Sequence, residues 1–198
     1  MRYLLLLFLV VFVLGEATAQ KFEITPQYGY QIGSKWNYYG GYVKLKASDQ
    51  FGITLDATIN DDVQAEFIWV QQNTVVDVQD IVLYPKEKDV TDVTVNHYQF
   101  GAIHTIGYSD TVPFIGGSAG WSTFNPADSA FSSTTKFSFG ISGGVKHFFS
   151  DHIGVRLQAQ LLVPVDWGGV YIGSGGGGVT AGGSLVQLNF SGGLVIAI

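Results

Sequence analysis

Residues 153–165 read IGVRLQAQLLVPV, and this stretch decides the fold. Ile153, Val155, Leu157, Ala159, Leu161, Val163 and Val165 share one parity; Gly154, Arg156, Gln158, Gln160 and Leu162 share the other. Successive side chains of a β-strand point to opposite faces, so the pattern sets a wholly apolar face against a largely polar one.

The same alternation recurs along the chain. A first strand spans Phe22 to Gly33, with Phe22, Ile24, Tyr28, Tyr30 and Ile32 opposite Glu23, Thr25, Gln27 and Gln31. A second runs from about Tyr42 to Ile59, and a third from Val63 to about Gln72 with Gln64 and Glu66 opposite Ala65, Phe67 and Trp69. The fourth lies near Asn96–Gly107, the fifth at Val112–Trp121 and the sixth at Lys136–Phe149. Residues 153–165 form the seventh, and Val186–Ile198 the eighth. Short turns at 60–62, 108–111 and 150–152 alternate with longer connections near Ser34–Gly41, Asn73–Val95, Ser122–Thr135 and Asp166–Gly183.

That rhythm predicts an all-β fold, an eight-stranded antiparallel transmembrane up-and-down β-barrel with short periplasmic turns and longer extracellular loops. Lipid offers the backbone no hydrogen bonds, so the sheet has to close on itself. The rival is a soluble sandwich or lipocalin-like barrel, which reverses the two faces, and alternation alone does not separate the two. Composition favours lipid outside. The apolar sets are large and continuous, and the polar sets are mostly Gly, Ser, Thr and Gln, which suit a narrow interior.

Only 13% of the residues are charged, against roughly 25% in soluble domains, and 14% are aromatic. No mature stretch is long and apolar enough for a spanning helix. The net charge is −6 with no basic run, which speaks against nucleic acid. The absence of cysteine excludes disulfides, thiolate metal sites and a lipid-modified N-terminal Cys. Residues 1–19 have the form of a signal peptide: Arg2, an apolar run from Tyr3 to Leu14, then Ala17 and Ala19 in a small-x-small arrangement. Cleavage after Ala19 leaves residues 20–198 as the barrel domain.

The tryptophans give a second line of reasoning. Trp36 follows the first strand, Trp69 and Trp121 lie near the tops of the third and fifth, and Trp167 follows the seventh. All four are expected at the extracellular rim, as membrane-interface aromatics. A carbohydrate-binding cluster is the competing reading.

The segments EITPQYGYQIG (23–33), FGITLD (51–56) with the Glu66-containing third strand, PFIGGSAG (113–120) and GGVKHFFSDHIGVR (143–156) carry a resemblance. In them the chain resembles the outer-membrane β-barrel domain family of small porin-like proteins, related in architecture to the OmpA membrane domain, OmpX and OmpW. The resemblance covers nearly all of the mature chain and implies a barrel in the outer membrane of a Gram-negative bacterium, without specifying an activity. One departure is the terminal Ile198, where such barrels commonly end in an aromatic residue read by the assembly machinery.

The predicted inward set includes Glu23, Asp56, Glu66, Lys136, Lys146 and Arg156. Charges in a narrow lumen need partners or solvent, so Glu66 and Asp56 are expected to pair with Arg156 and Lys146 in a lumen ion-pair network. The functional alternative is a gate. His97, His104, His147 and His152 have no metal-ligand spacing and no flanking nucleophile with an acid partner, so no catalysis, metal or cofactor is expected. The Gly173–Gly178 run lacks the Lys-Ser/Thr of a phosphate loop and reads as a flexible connection. Asp77, Asp80, Glu87, Asp89 and Asp92 make the second long connection an acidic, solvated loop.

The expected role is structural or surface-interacting, with a narrow channel or transporter for small or apolar solutes as the alternative. Expected partners are outer-membrane lipid including lipopolysaccharide, periplasmic chaperones and the barrel assembly machinery; the sequence names no ligand for the loops.

Overall fold

The computed structural model describes residues 22–38, 41–80, 84–107, 109–165, 170–173, 176–179 and 186–198. The expected signal peptide and Trp167 lie outside these residues. In chain order the strands are β1 (Phe22–Gln31), β2 (Ser34–Tyr38), β3 (Gly41–Leu45), β4 (Ser48–Asn60), β5 (Val63–Asp80), β6 (Tyr84–Thr105), β7 (Thr111–Pro126), β8 (Thr134–Phe148), β9 (Ile153–Val165), β10 (Val170–Gly173), β11 (Gly176–Val179) and β12 (Gln187–Ala197). Eight of them close a ring of antiparallel neighbours, β1-β4-β5-β6-β7-β8-β9-β12, sealed where β12 returns to β1.

The ring puts the polar faces inside. Along β9, Arg156, Gln158 and Gln160 are buried, whereas Leu157 on the opposite face is 59% exposed. Ile141, Phe100, Ile115 and Phe190 stand equally bare on neighbouring strands. An apolar wall of this extent would be insoluble in water and is satisfied by lipid. This decides between the transmembrane barrel and its soluble rival.

The wall has a defined upper edge. One register row joins Ile53, Trp69, Tyr98, Trp121, Phe137 and Val165 across six strands. On β5 to β8 the next outward-facing row holds Gln71, Asn96, Thr123 and Thr135, while on β4 and β1 it continues in Phe51 and Tyr28. From Ile106 up to Tyr98, at about 3.3 Å per residue and a tilt of about 40°, the wall rises ~20 Å. At the opposite end Asn60-Asp61-Asp62 is a tight turn in which Asn60 Oδ1 accepts the backbone N–H groups of Asp62 (3.1 Å) and Val63 (2.9 Å).

Three expectations about the connections need correction. Residues 73–95 are not a loop: β5 runs on to Asp80 and β6 begins at Tyr84, paired for most of their length. The segment is rich in Val and Thr, which favour strands, and it is polar because it stands above the lipid with water around it. The second predicted strand breaks at Lys46–Ala47: β3 pairs with β2 and with the top of β5, and β4 pairs with β1. The first long connection is therefore a hairpin that widens the sheet above the barrel. The Gly-rich connection also carries a hairpin, β10 with β11.

Candidate functional site

The periplasmic half of the lumen is built on two facing rows of charge. Glu23, Asp56 and Glu66 are direct register partners on the adjacent strands β1, β4 and β5. Lys146 and Arg156 are register partners on the adjacent strands β8 and β9. Three acids on one wall thus meet two bases on the other. Gly101 beside Glu66 and Gly193 beside Arg156 add no bulk to the flanking strands.

Lys146 Nζ donates to Glu23 Oε2 (2.6 Å), Asp56 Oδ2 (2.9 Å) and Gln64 Oε1 (2.7 Å), using its whole donor capacity. Arg156 Nη1 donates to the same Asp56 Oδ2 at 3.0 Å, Nη2 donates to Glu66 Oε2, and Nε donates to Gln158 Oε1 at 2.8 Å. Gln64 Nε2 closes the circuit on Glu23 Oε1 at 2.9 Å. The Phe114 ring covers the guanidinium, 4.4 Å from centroid to Cζ. Lys146 and Arg156 are each only 1% exposed. Burial at this level strips the hydration of the ions, and the partners replace it.

Above the charges lies an uncharged chain. Ser118 Oγ donates to Gln99 Oε1, Gln99 Nε2 donates to Ser138 Oγ at 2.6 Å, and Ser122 Oγ donates to Ser138 Oγ at 3.0 Å. His97 Nδ1 lies 2.7 Å from Ser122 Oγ. Sequence reasoning missed this His–Ser contact because His97 and Ser122 meet only through the β6–β7 register. With Ser122 donating to Ser138, the hydrogen left to bridge His97 and Ser122 is the imidazole N–H. No carboxylate joins the pair among the described contacts.

The extension above the membrane carries its own cluster. Lys44 Nζ contacts Glu87 (3.0 Å) and Asp77 (3.9 Å); Lys46 Nζ contacts Asp89 (2.8 Å) and Asp77 (3.3 Å). Tyr42 OH donates to Glu87 at 2.7 Å. The Asp77 side chain lies beneath Lys44 and Lys46 and is fully buried. That burial pushes the Asp77 carboxyl up. The hydroxyl of Tyr42 and the ammonium of Lys44 push Glu87 down to about 2, and Lys46 lowers Asp89. Among the described residues no group of His, Asp and Glu is placed to hold a metal ion.

Each anticipated site residue therefore has a location. Asp56, Glu66, Lys146 and Arg156 converge in the lumen, joined by Glu23, Gln64 and Phe114, to which the sequence reading assigned no contact. Trp69 stands on the outer wall edge-on to Phe51 (centroids 5.8 Å) with Nε1 donating to Asn96, and Trp121 stands edge-on to Phe137 (6.4 Å). Trp36 lies on β2, and its side chain is outside what the structure describes.

No family model matches the chain, and no curated protein sequence matches it significantly. Solved structures do resemble it. The outer membrane protein OprG from Pseudomonas aeruginosa aligns with a TM-score of 0.64 and 14% identity, covering 91% of this chain and 96% of that one. Neisserial surface protein A aligns at 0.58 and 13% identity, covering 88% and 96%. The N-terminal β-barrel domain of Pseudomonas aeruginosa OprF aligns at 0.54 and 12% identity, covering 90% and 97%. At these identities the likeness establishes the fold, that of the small eight-stranded outer-membrane barrels.

Proposed function

We propose that this chain is an integral outer-membrane β-barrel of a Gram-negative bacterium that serves as a sealed membrane stave and holds a stiff β-extension at the cell surface, without catalysis. The observation that carries the reading is the pairing of Lys146 and Arg156 with Glu23, Asp56 and Glu66 across the lumen. Opening a path there would strand charges in a confined interior, at a cost of several kcal/mol per ion. The extension supports a surface role, because β5 and β6 continue as paired strands beyond the Trp69–Tyr98 row and β3 widens them.

The other parts follow from this reading. Residues 1–19 direct export and are removed, so N-terminal sequencing of the mature protein should begin at Gln20. The row containing Trp69 and Trp121 anchors the barrel at the outer headgroups, next to lipopolysaccharide. Periplasmic chaperones and the barrel assembly machinery deliver it. The His97–Ser122 contact, buried and without an acid among the described contacts, fits the non-catalytic reading, which an altered lipid A mass profile on expression would overturn.

The direct test is conductance of the refolded protein in a planar bilayer. Wild type should show no lasting step. A lasting step that changes in Glu66→Gln would replace the sealed stave with a narrow channel for small or apolar solutes.

A further inference from the structure

The lipid-facing wall is not uniformly bulky. One outward row runs Asp49, Tyr30, Phe190, Ala159 and Gly143 across β4, β1, β12, β9 and β8. The row beneath it runs Phe51, Tyr28, Gly192 and Leu157. Tyr28, Tyr30, Phe190 and Leu157 stand proud of the wall, each at least 49% exposed. Gly192, Ala159 and Gly143 leave it low between them. The result is a groove of about 550 Å3, walled by the four large side chains and floored by the three small residues, with Asp49 at one end.

The groove is inclined to the membrane plane. Asp49 and Tyr30 lie one residue inside the outer ends of β4 and β1. Ala159 is the middle residue of β9, and Gly143 lies past the middle of β8 on its way to the periplasmic side. The floor therefore descends from the headgroup level into the hydrocarbon. At the upper end the Asp49 carboxylate accepts the Tyr28 hydroxyl. A carboxylate at that level repels lipid phosphate and attracts an ammonium, the more strongly for the low dielectric beside it.

We propose that this groove binds one phospholipid with an amine headgroup, of the phosphatidylethanolamine type. One acyl chain lies over Gly192, Ala159 and Gly143, and the ammonium sits on Asp49. A chain in the groove is touched on three sides, so it gains dispersion contacts that a lipid against flat wall lacks. The two tyrosines line the chain with their rings and turn their hydroxyls to the headgroup. The inference rests on the reading of this wall as lipid-facing and adds a preference among lipids.

The test is native mass spectrometry of the refolded chain, released from micelles holding equal amounts of phosphatidylethanolamine and phosphatidylglycerol with identical acyl chains. EDTA is present, so no divalent cation bridges Asp49 to a phosphate. Wild type should retain one lipid, phosphatidylethanolamine about tenfold over phosphatidylglycerol. Asp49→Asn should bring the ratio near one. Gly192→Leu should fill the groove and release both lipids. A Cβ there meets only the tip of Leu157 at 3.0 Å and a backbone oxygen at 3.7 Å, so the barrel can accept it. Gly143→Leu is the second filling variant, should the first fail to fold. Equal retention of the two lipids by wild type, an unchanged ratio in Asp49→Asn, or undiminished retention in the folded filling variants would overturn the site. A dimer that disappears in Gly192→Leu would overturn it in favour of a second copy. Heat-modifiability of the same samples separates the two claims: a shifting band with equal lipid retention fails the groove alone, and an unshifted wild type fails the barrel with it.

Discussion

Lys146 on β8 donates to Glu23 on β1 at 2.6 Å, joining strands that do not touch as neighbours and residues 123 positions apart in sequence. The bond crosses the lumen, and its energy depends on the absence of competing water. Removing one partner of a buried pair leaves the other charged and unsatisfied. Lys146→Met should therefore lower the unfolding free energy of the refolded barrel by about 3–5 kcal/mol. Lys146→Met combined with Glu23→Gln should recover part of the loss. Urea titration in lipid vesicles reads both, and a loss below about 1 kcal/mol would mean that water already reaches the cluster.

The outer cluster gives a pH prediction in two phases. Asp77, raised by burial, holds its proton more tightly folded than unfolded. Acidification from neutrality toward pH ~4 therefore strengthens the β3–β5–β6 clamp, and it also cancels the excess of three carboxylates over two lysines. Glu87, held down at about 2 by Tyr42 and Lys44, and Asp89, held down by Lys46, contribute stability above the ordinary carboxylate range. Their contribution is lost as pH falls from ~4 toward the Glu87 value. Amide shifts of Gly41–Leu45 followed against pH should show both phases, and Asp77→Asn should remove only the first. A single phase in wild type would contradict this.

Packing between β6 and β7 rests on a close approach at Gly120. A Cβ there would press into the Tyr98 carbonyl oxygen and reach the Gln99 Cα at 2.9 Å. Gly120→Ala should cost about 1–3 kcal/mol. Gly143→Ala meets only the Phe114 carbonyl oxygen at 3.7 Å and should be nearly neutral. Equal urea midpoints for the two variants would show that β6 and β7 yield freely at this point.

Depth of the aromatic row can be read by fluorescence. In a variant with Trp36 and Trp167 replaced by Phe, Trp69 and Trp121 should be quenched most by lipids brominated near the headgroup end of the acyl chain. Strongest quenching by bromines at the chain terminus would place the row in the middle of the bilayer.

The sequence made the barrel legible because one physical signal, alternation, repeats on every stave, and a shift of one residue would turn Arg156 to lipid and Leu157 inward. The inward set was legible for the same reason, and the Glu23–Asp56–Glu66 row needed only the β1–β4–β5 register added to it. Three things were not legible. Polarity at Asn73–Val95 was read as a loop, although strands above the membrane have no reason to be apolar. Asp77 counted as a solvated acid, because only the pairing of β3 with β5 brings Lys44 and Lys46 over it. His97–Ser122 and Phe114 on Arg156 arise from cross-strand neighbours, which a linear pattern does not contain.

The measurement that bears most directly on the closed transmembrane barrel is heat-modifiability after refolding in detergent, with samples run boiled and unboiled on one gel. A compact unboiled band that shifts on boiling is expected. A single unshifted band, from protein that stays soluble without detergent, would contradict the barrel and the lumen network built inside it.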